Sequence, residues 1–255
     1  MIGSFLNCLI WRLHTGEGMM DRSRCPKCKH KISWYDNIPV LSYLFLLGKC
    51  RHCKEGISWQ YPVVEFVTGV LFLLAFMVEF PIDFEILNLT SFFIIIKSWF
   101  VISVMIIVFI YDLRWYLILD RVMIPSFIIV FLLNLASGYL SGNLVEILWK
   151  SLICGIIGGS FFLIQFLISK GKWIGGGDIR LGFLMGLVLL WPGVIIALML
   201  AYISGAIISV FLIMIGKKKW GSQVPFGIFL STATIVTMFW GQVLADWYLN
   251  LILVT

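Results

Sequence analysis

Residues 92–111 read FFIIIKSWFVISVMIIVFIY, an apolar run with a single charge, and Asp112 follows it directly. About 20 consecutive apolar residues form a helix long enough to cross the hydrocarbon core of a bilayer. Similar apolar segments recur at 61–80, 122–140, 145–168, 179–191, 193–215 and 225–251, and residues 1–13 resemble the end of one more. The chain is 61% hydrophobic and 13% charged. We therefore predict an all-α polytopic membrane protein, a bundle of about seven or eight transmembrane helices.

The net charge of +6 does not indicate nucleic-acid binding, because of where the cations lie. Alternating spans put four polar regions on one side of the membrane: 14–60, 112–121, 169–178 and 216–223. All 19 lysines and arginines except Lys97 and Lys150 fall in or beside these regions. Cytoplasmic loops of membrane proteins carry an excess of Lys and Arg. The pattern predicts that Asp112 and Asp178 both face the cytoplasm, with the lipid bilayer and no nucleic acid as a partner.

The one sizeable polar region, 14–60, contains two C-x2-C pairs formed by four of the six cysteines: Cys25, Cys28, Cys50 and Cys53. Two such pairs, separated by about 20 residues, have the spacing of a tetrahedral zinc site. Four thiolates fill the coordination shell, so the predicted zinc is structural. Two disulfides are the alternative, but the cytoplasm is reducing. His30 and His52 lie beside the pairs and could replace one ligand, but we expect them to be surface residues of the knuckle. We expect 14–60 to form a cytoplasmic zinc-knuckle domain before a transmembrane bundle over 61–255.

Two aspartates carry the strongest functional signal. Asp178 follows Gly175-Gly176-Gly177 before a predicted helix, and Asp112 ends the apolar run. An ionisable residue next to lipid is a functional-site hypothesis by default. Two adjacent carboxyl groups do not both ionise easily, and such a pair can activate water and hydrogen-bond a scissile carbonyl, as in an aspartic protease. The alternative for each is a helix cap or a partner of a nearby cation. Asp120 fits that alternative, as the N-cap of the helix predicted over 122–140.

Short motifs along nearly the whole chain resemble, in order, those of the type IV prepilin peptidases, membrane aspartic proteases of the GxGD type. The matching stretches are Gly3-Ser4-Phe5-Leu6-Asn7, the two cysteine pairs, Asn37-Ile38-Pro39-Val40-Leu41-Ser42-Tyr43, Tyr61-Pro62-Val63-Val64-Glu65, Asp112-Leu113, Gly175-Gly176-Gly177-Asp178-Ile179-Arg180-Leu181 and Val224-Pro225-Phe226-Gly227. Two positions depart from the family pattern: Arg180 stands where the family usually has Lys, and Leu119 where it often has Pro.

The resemblance implies cleavage of the leader peptide of type IV prepilins or type II secretion pseudopilins, on the cytoplasmic side of the bacterial inner membrane. It also implies N-methylation of the new N-terminus, with S-adenosylmethionine as the cofactor. The implied catalytic residues are Asp112 and Asp178, with support from Gly175, Gly177, Arg180 and Glu65. For Glu65 two interpretations stay open. It contacts the substrate amine or cofactor, or it pairs with a loop cation.

Two other classes compete with this interpretation. Presenilin-like intramembrane proteases share the Tyr-Asp and Gly-x-Gly-Asp motifs, but they carry a late Pro-Ala-Leu motif where this chain has Pro225-Phe226-Gly227. A transporter that couples transport to two carboxylates predicts paired broken helices near the membrane midplane and repeated halves. Here the two aspartates lie at predicted helix ends, and the sequence has no internal repeat. A zinc-anchored scaffold without enzymatic activity would leave the aspartate pair unexplained.

Overall fold

The computed structural model describes residues 1–18, 23–80, 89–219 and 224–253, and within these ranges it contains helices and no strands. The helices are α1 (Ile2–Thr15), α2 (Leu41–Phe45), α3 (Gln60–Glu79), α4 (Leu89–Trp115), α5 (Asp120–Leu140), α6 (Leu144–Ser169), α7 (Gly176–Met214) and α8 (Gly227–Leu253). Within the described ranges, the six from α3 to α8 are long and apolar enough to cross a membrane. This confirms the predicted all-α polytopic architecture. Parts of the predicted polar regions, 19–22 and 220–223, lie outside the described residues.

The chain divides into two compact units, Met1–Phe76 and Met77–Thr255. The first unit contains α1, α2, the cysteine pairs and most of α3. Its helices α1 and α3 are joined by Asn7, which is buried and donates a hydrogen bond from Nδ2 to the Tyr61 carbonyl at 3.1 Å. The second unit contains α4 to α8. Its core is apolar and draws on α4, α5, α6, α7 and α8, with fully buried side chains such as Met105, Met123, Leu184 and Leu230.

Helix α7 folds back on itself at Leu190 and Trp191. The backbone leaves the helical region there, with φ 55° and ψ −169° at Leu190, a positive φ that leucine rarely adopts. Phe162 contacts both sides of the bend: its Cε2 atom is 2.8 Å from the ideal Cβ position of Gly182, and its ring stacks on Tyr202 with centroids 6.4 Å apart. A straight helix would separate Gly182 from Tyr202 by about 30 Å.

Helix α7 is therefore an antiparallel pair of arms, a first arm over 176–189 and a second arm over 192–214. These arms correspond to the two predicted segments 179–191 and 193–215. The first arm packs against α6 through glycines. A Cβ atom at Gly182 would lie 2.6 Å from the carbonyl oxygen of Gly158, and one at Gly186 would lie 2.7 Å from Cα of Gly155. Small residues of this kind let membrane helices approach closely.

Candidate active site

Asp178 is the third residue of α7, and its carboxylate closes the first turn of the helix. Gly175 is the N-cap residue, and its amide donates a hydrogen bond to Oδ2 of Asp178 at 3.0 Å. The first amides of a helix have no partner within the helix, and the helix dipole favours negative charge at this end. The Gly175-Gly176-Gly177-Asp178 stretch is therefore a helix start that holds a carboxylate in a defined position, and Asp178 is only 8% exposed.

Asp112 lies one turn before the end of α4 and reaches the start of α8. Its Oδ2 atom accepts a hydrogen bond from the Ile228 amide at 3.2 Å. A Cβ atom at Gly227 would lie 2.8 Å from the same oxygen, so glycine is what permits this approach. The C-terminal end of α4 disfavours negative charge, whereas the N-terminal end of α8 favours it. Helix α8 thus supplies the electrostatic support that α4 cannot give to Asp112, which is 5% exposed.

Ile118, between α4 and α5, connects the two carboxyl-bearing segments. Its Cβ atom is 2.7 Å from the ideal Cβ position of Gly177, and its Cδ1 atom is 3.2 Å from that of Gly227. Gly177 precedes Asp178 in the chain, and Gly227 contacts Asp112. The two carboxyl groups are near enough to interact electrostatically. The end of α4 and the starts of α7 and α8 therefore meet at one end of the second unit, around two buried carboxyl groups.

Tyr202 also lies near this pair, although no sequence pattern marks it. Its phenol interacts electrostatically with Asp178. The hydroxyl donates a hydrogen bond to Oε1 of Gln165 at 2.8 Å, and the ring lies 5.0 Å from that of Phe226 between centroids. Tyr202 belongs to the second arm of α7, so only the fold-back at Leu190 brings it to the depth of Asp178. The sequence of the apolar run does not indicate that this tyrosine lies beside the carboxyl pair.

Arg180 and Asp120 form an ion pair on the surface, between Nη1 and Oδ1, and their side chains are 44% and 50% exposed. The prediction that Asp120 is the N-cap of its helix is wrong. The cap residue of α5 is Leu119, whose carbonyl accepts from the amides of Val122 and Met123. Asp120 lies in the first turn, where the dipole favours its charge without a capping hydrogen bond. Arg180 therefore connects the first arm of α7 to α5.

Glu65 belongs to the first unit, where its Oε2 atom accepts a hydrogen bond from the Val40 amide at 2.7 Å. Val40 has a φ of 60°, which is a genuine outlier for a β-branched residue. The structure therefore gives Glu65 a role that neither sequence interpretation included. It stabilises a strained backbone within the Asn37–Tyr43 stretch, through an amide rather than through a loop cation.

The sulfur atoms of the four cysteines of the two pairs lie within 4.8 Å of one another, in an arrangement that could hold a metal ion. Each pair forms the same turn. The Lys29 amide donates to the Cys25 carbonyl and the Lys54 amide to the Cys50 carbonyl, both at 2.9 Å. The Cys53 amide hydrogen-bonds to the Cys50 sulfur and lowers the pKa of that thiol to about 7. His30 and His52 stack on each other, with ring centroids 4.4 Å apart.

The fold and the site together define a class: an all-helical, multi-pass membrane protein with two buried carboxyl groups at one bundle end and a separate four-thiol cluster. The chain belongs to the type IV leader peptidase family. The profile of that family matches residues 99–210, and that of the bacterial peptidase A24 N-terminal domain matches residues 1–79. This confirms the resemblance that the motifs indicated.

Three curated relatives are each named prepilin leader peptidase/N-methyltransferase. The protein from Bacillus subtilis is 30% identical over 232 residues, covering 91% of this chain and 87% of the relative. The protein from Vibrio cholerae serotype O1 is 33% identical over 197 residues, covering 71% and 70%. The protein from Aeromonas salmonicida is 29% identical over 279 residues, covering 99% and 92%. A search of solved structures found no match.

Proposed function

We propose that this chain is a membrane aspartic endopeptidase that removes the leader peptide from type IV prepilins or pseudopilins, with Asp112 and Asp178 as its catalytic pair. One observation carries the proposal: two buried carboxyl groups lie at the same end of the bundle, on either side of Ile118, and each is oriented by the amide of a helix start. The names of the relatives support leader cleavage as the reaction. They give no support to a presenilin-like protease or to a transporter.

The geometry suits hydrolysis by a shared-proton carboxyl pair. The ionised carboxylate takes a proton from a water molecule as the water oxygen bonds to the scissile carbonyl carbon, while the protonated partner donates a hydrogen bond to the carbonyl oxygen. When the carbon–nitrogen bond breaks, a proton passes to the leaving amine. Because the Gly175 and Ile228 amides hold the two carboxyl groups in place before substrate arrives, little reorganisation is needed during the reaction.

The orientation in the membrane follows from the cations of the second unit. Those beside the carboxyl pair are Arg114, Arg121, Lys170, Lys172, Arg180 and the run Lys217-Lys218-Lys219. At the other end of the same helices lie only Lys97 and Lys150 among the described residues. By the positive-inside rule, the end with more cations faces the cytoplasm. We therefore place the carboxyl pair at the cytoplasmic face of the bacterial inner membrane, where a basic leader is accessible before export.

N-methylation of the new N-terminal residue is the second activity that we infer, from the names of the relatives. S-adenosylmethionine would supply the methyl group, from its sulfonium to the free amine. Two surface grooves, of about 430 and 330 Å³, have linings that are apolar except for Ser160 and Arg180. Neither groove fits a cofactor with an adenine, a ribose and an amino acid group. We therefore assign no residue to methyl transfer.

Zinc is the metal that the cysteine cluster fits best. Tetrahedral zinc with Zn–S bonds of about 2.3 Å places its sulfur ligands about 3.8 Å apart, and Sγ of Cys25 lies 3.9 Å from Sγ of Cys53. A disulfide requires about 2.05 Å, and all six cysteines, each within the described ranges, are free thiols. Four thiolates leave no open coordination position, so we expect the zinc to hold the two turns together rather than to act on substrate.

We expect purified protein to contain about one zinc ion per chain, and to release it as the pH falls. The ligands must be thiolates. Protons compete with the metal for these thiolates, so falling pH weakens binding. Elemental analysis after dialysis against a weak chelator at several pH values measures the release. Cys28→Ser should lose the metal at neutral pH, whereas Cys8→Ser, in α1 and outside the cluster, should keep it. Well under one zinc per wild-type chain at neutral pH would contradict the assignment.

Incubating the purified chain with a prepilin and labelled S-adenosylmethionine tests the two activities separately. Mass spectrometry should find a released leader and a mature pilin, and the label should appear on the new N-terminus. An intact prepilin would contradict the proposed peptidase. A cleaved but unlabelled product would support the proposed peptidase activity and contradict the proposed methyltransferase activity.

A further inference from the structure

A chain of buried polar side chains crosses the second unit far from the carboxyl pair. Lys97 on α4 donates a hydrogen bond from Nζ to Oδ1 of Asn134 on α5 at 3.2 Å. The Nδ2 atom of Asn134 donates to Oγ of Ser151 on α6 at 2.9 Å and to the Leu187 carbonyl of α7 at 3.0 Å. Asn134 lies about 20 Å along α5 from the end that carries Asp120. One amide therefore links four helices within the apolar core.

The Leu187 carbonyl lies in the last turn of the first arm, three residues before the backbone leaves the helical region at Leu190. In a continuous helix the Trp191 amide would donate to it. Trp191 instead has φ −88° and ψ 139°, and its amide hydrogen-bonds to the sulfur of Cys154. Ser151 also donates to the Leu187 carbonyl, at 3.2 Å. Since no water is available in the hydrocarbon region, an unpaired backbone carbonyl there is strongly unfavourable. Side chains of α5 and α6 thus cap the broken end of the first arm.

Lys97 determines which way the Asn134 amide points. An ammonium group can only donate, so it takes the amide oxygen and leaves the two amide hydrogens for Ser151 and Leu187. The charge of Lys97 interacts with Glu79, whose Oε1 atom accepts a hydrogen bond from Ser98 at 3.3 Å. A buried charge with such partners is stable in the bundle. The network therefore presents the donor side of Asn134 to the end of the first arm.

The first arm connects this cap to the carboxyl pair. It begins with Asp178 in its first turn and ends at the capped Leu187 carbonyl, about 14 Å further along the helix. Between them Gly182 and Gly186 pack directly against α6, and the arm is one continuous helical segment from Asp178 to Leu187. We propose that Asn134 is a positioning residue, which caps the broken arm and so sets the depth at which Asp178 meets Asp112. This inference rests on the proposed catalytic role of Asp178.

The test compares Asn134→Leu and Asn134→Asp with wild type in the prepilin cleavage assay. Leucine has nearly the side-chain shape of asparagine but can make none of the hydrogen bonds of Asn134 to Lys97, Ser151 and the Leu187 carbonyl. Aspartate keeps an acceptor for Lys97 but, when ionised, cannot donate to the Leu187 carbonyl. A displacement of about 1 Å at a reacting group can reduce the rate about 100-fold. We expect kcat to fall about 10- to 100-fold in both variants, with KM nearly unchanged and the pH–rate profile displaced, because the spacing of the two carboxyl groups changes.

Thr237→Val is the matched control, because the buried Thr237 hydroxyl of α8 has no hydrogen-bond partner in the described part of the chain. It should keep wild-type kcat and pH profile. If Asn134→Leu does not yield folded protein, Ser151→Ala removes one of the two donors and should show a smaller fall with the same displacement. Folded Asn134 and Ser151 variants with wild-type kcat and pH profile would overturn the inference. Undiminished cleavage by Asp178→Asn would instead overturn the proposed function, so the two failures are distinguishable.

Discussion

Asp112→Asn and Asp178→Asn are each expected to lower the rate of leader cleavage by at least about 1,000-fold, because in the proposed mechanism each removes a group that accepts or donates a proton. The fold should survive both changes. An asparagine oxygen can still accept the hydrogen bonds that the Gly175 and Ile228 amides now give to the carboxylates. Steady-state kinetics on folded protein, with cleavage followed by mass, measures the effect. The loss should lie in kcat rather than in KM.

Asp246→Asn is the control for this pair. Asp246 is an exposed aspartate on α8, and its Oδ1 atom contacts Gln242 of the same helix. Its loss should leave the cleavage rate unchanged. Asp120→Asn breaks the exposed pair with Arg180, which is worth about 0–1 kcal/mol of stability at most, and should have a modest effect. If either Asp112→Asn or Asp178→Asn kept more than about a tenth of the wild-type rate, that residue would not be a proton-transfer group.

The second large effect is expected at Gly186, where α6 and the first arm of α7 are in backbone contact. A Cβ atom there would lie 2.7 Å from Cα of Gly155 and would collide with the Cys154 carbonyl. Because main-chain atoms cannot move aside as side chains do, Gly186→Leu should lower the free energy of unfolding by more than about 3 kcal/mol. It should also abolish cleavage, since the first arm carries Asp178. Thermal unfolding in detergent measures the stability.

Gly69→Ala provides the contrast. Gly69 lies inside α3 with no heavy atom within 4 Å of its ideal Cβ position. Alanine is favoured over glycine in a helix by about 1 kcal/mol, so this variant should be as stable as wild type or slightly more so. A wild-type unfolding temperature for Gly186→Leu would contradict the close approach of α6 and α7.

The parts of this protein that the sequence predicts are those encoded locally. Apolar runs specify the spans, the C-x2-C spacing specifies the four-thiol cluster, and Trp191-Pro192 separates two helical segments. Contacts between helices depend instead on depth and rotation, which no local pattern encodes. The Ile228 amide that orients Asp112 lies 116 residues further along the chain. Within the apolar runs, Asn134 gives no sign that it caps Leu187.

The exact ends of helices and the partners of their terminal residues also depend on contacts that no local sequence pattern encodes. Asp178 was predicted to precede its helix, but it lies within the first turn, because Gly175 provides the cap. Asp120 is of a residue type that is common at N-caps, but it forms an ion pair with Arg180 instead. The packing of α7 beside α5 brings Arg180 within reach. A cap and an ion pair use the same side chain, and only the neighbouring helix decides between them.

Action of the carboxyl pair on the scissile bond can be measured with a leader-junction peptide that carries a secondary alcohol in place of the scissile carbonyl, through its dissociation constant. A tetrahedral hydroxyl group imitates the transition state and should be held between Asp112 and Asp178. We predict that wild-type protein binds this peptide at least about 100-fold more tightly than the cleavable peptide, and that Asp178→Asn binds the two alike. Equal preference in wild type and Asp178→Asn would contradict a carboxyl pair acting on the scissile bond.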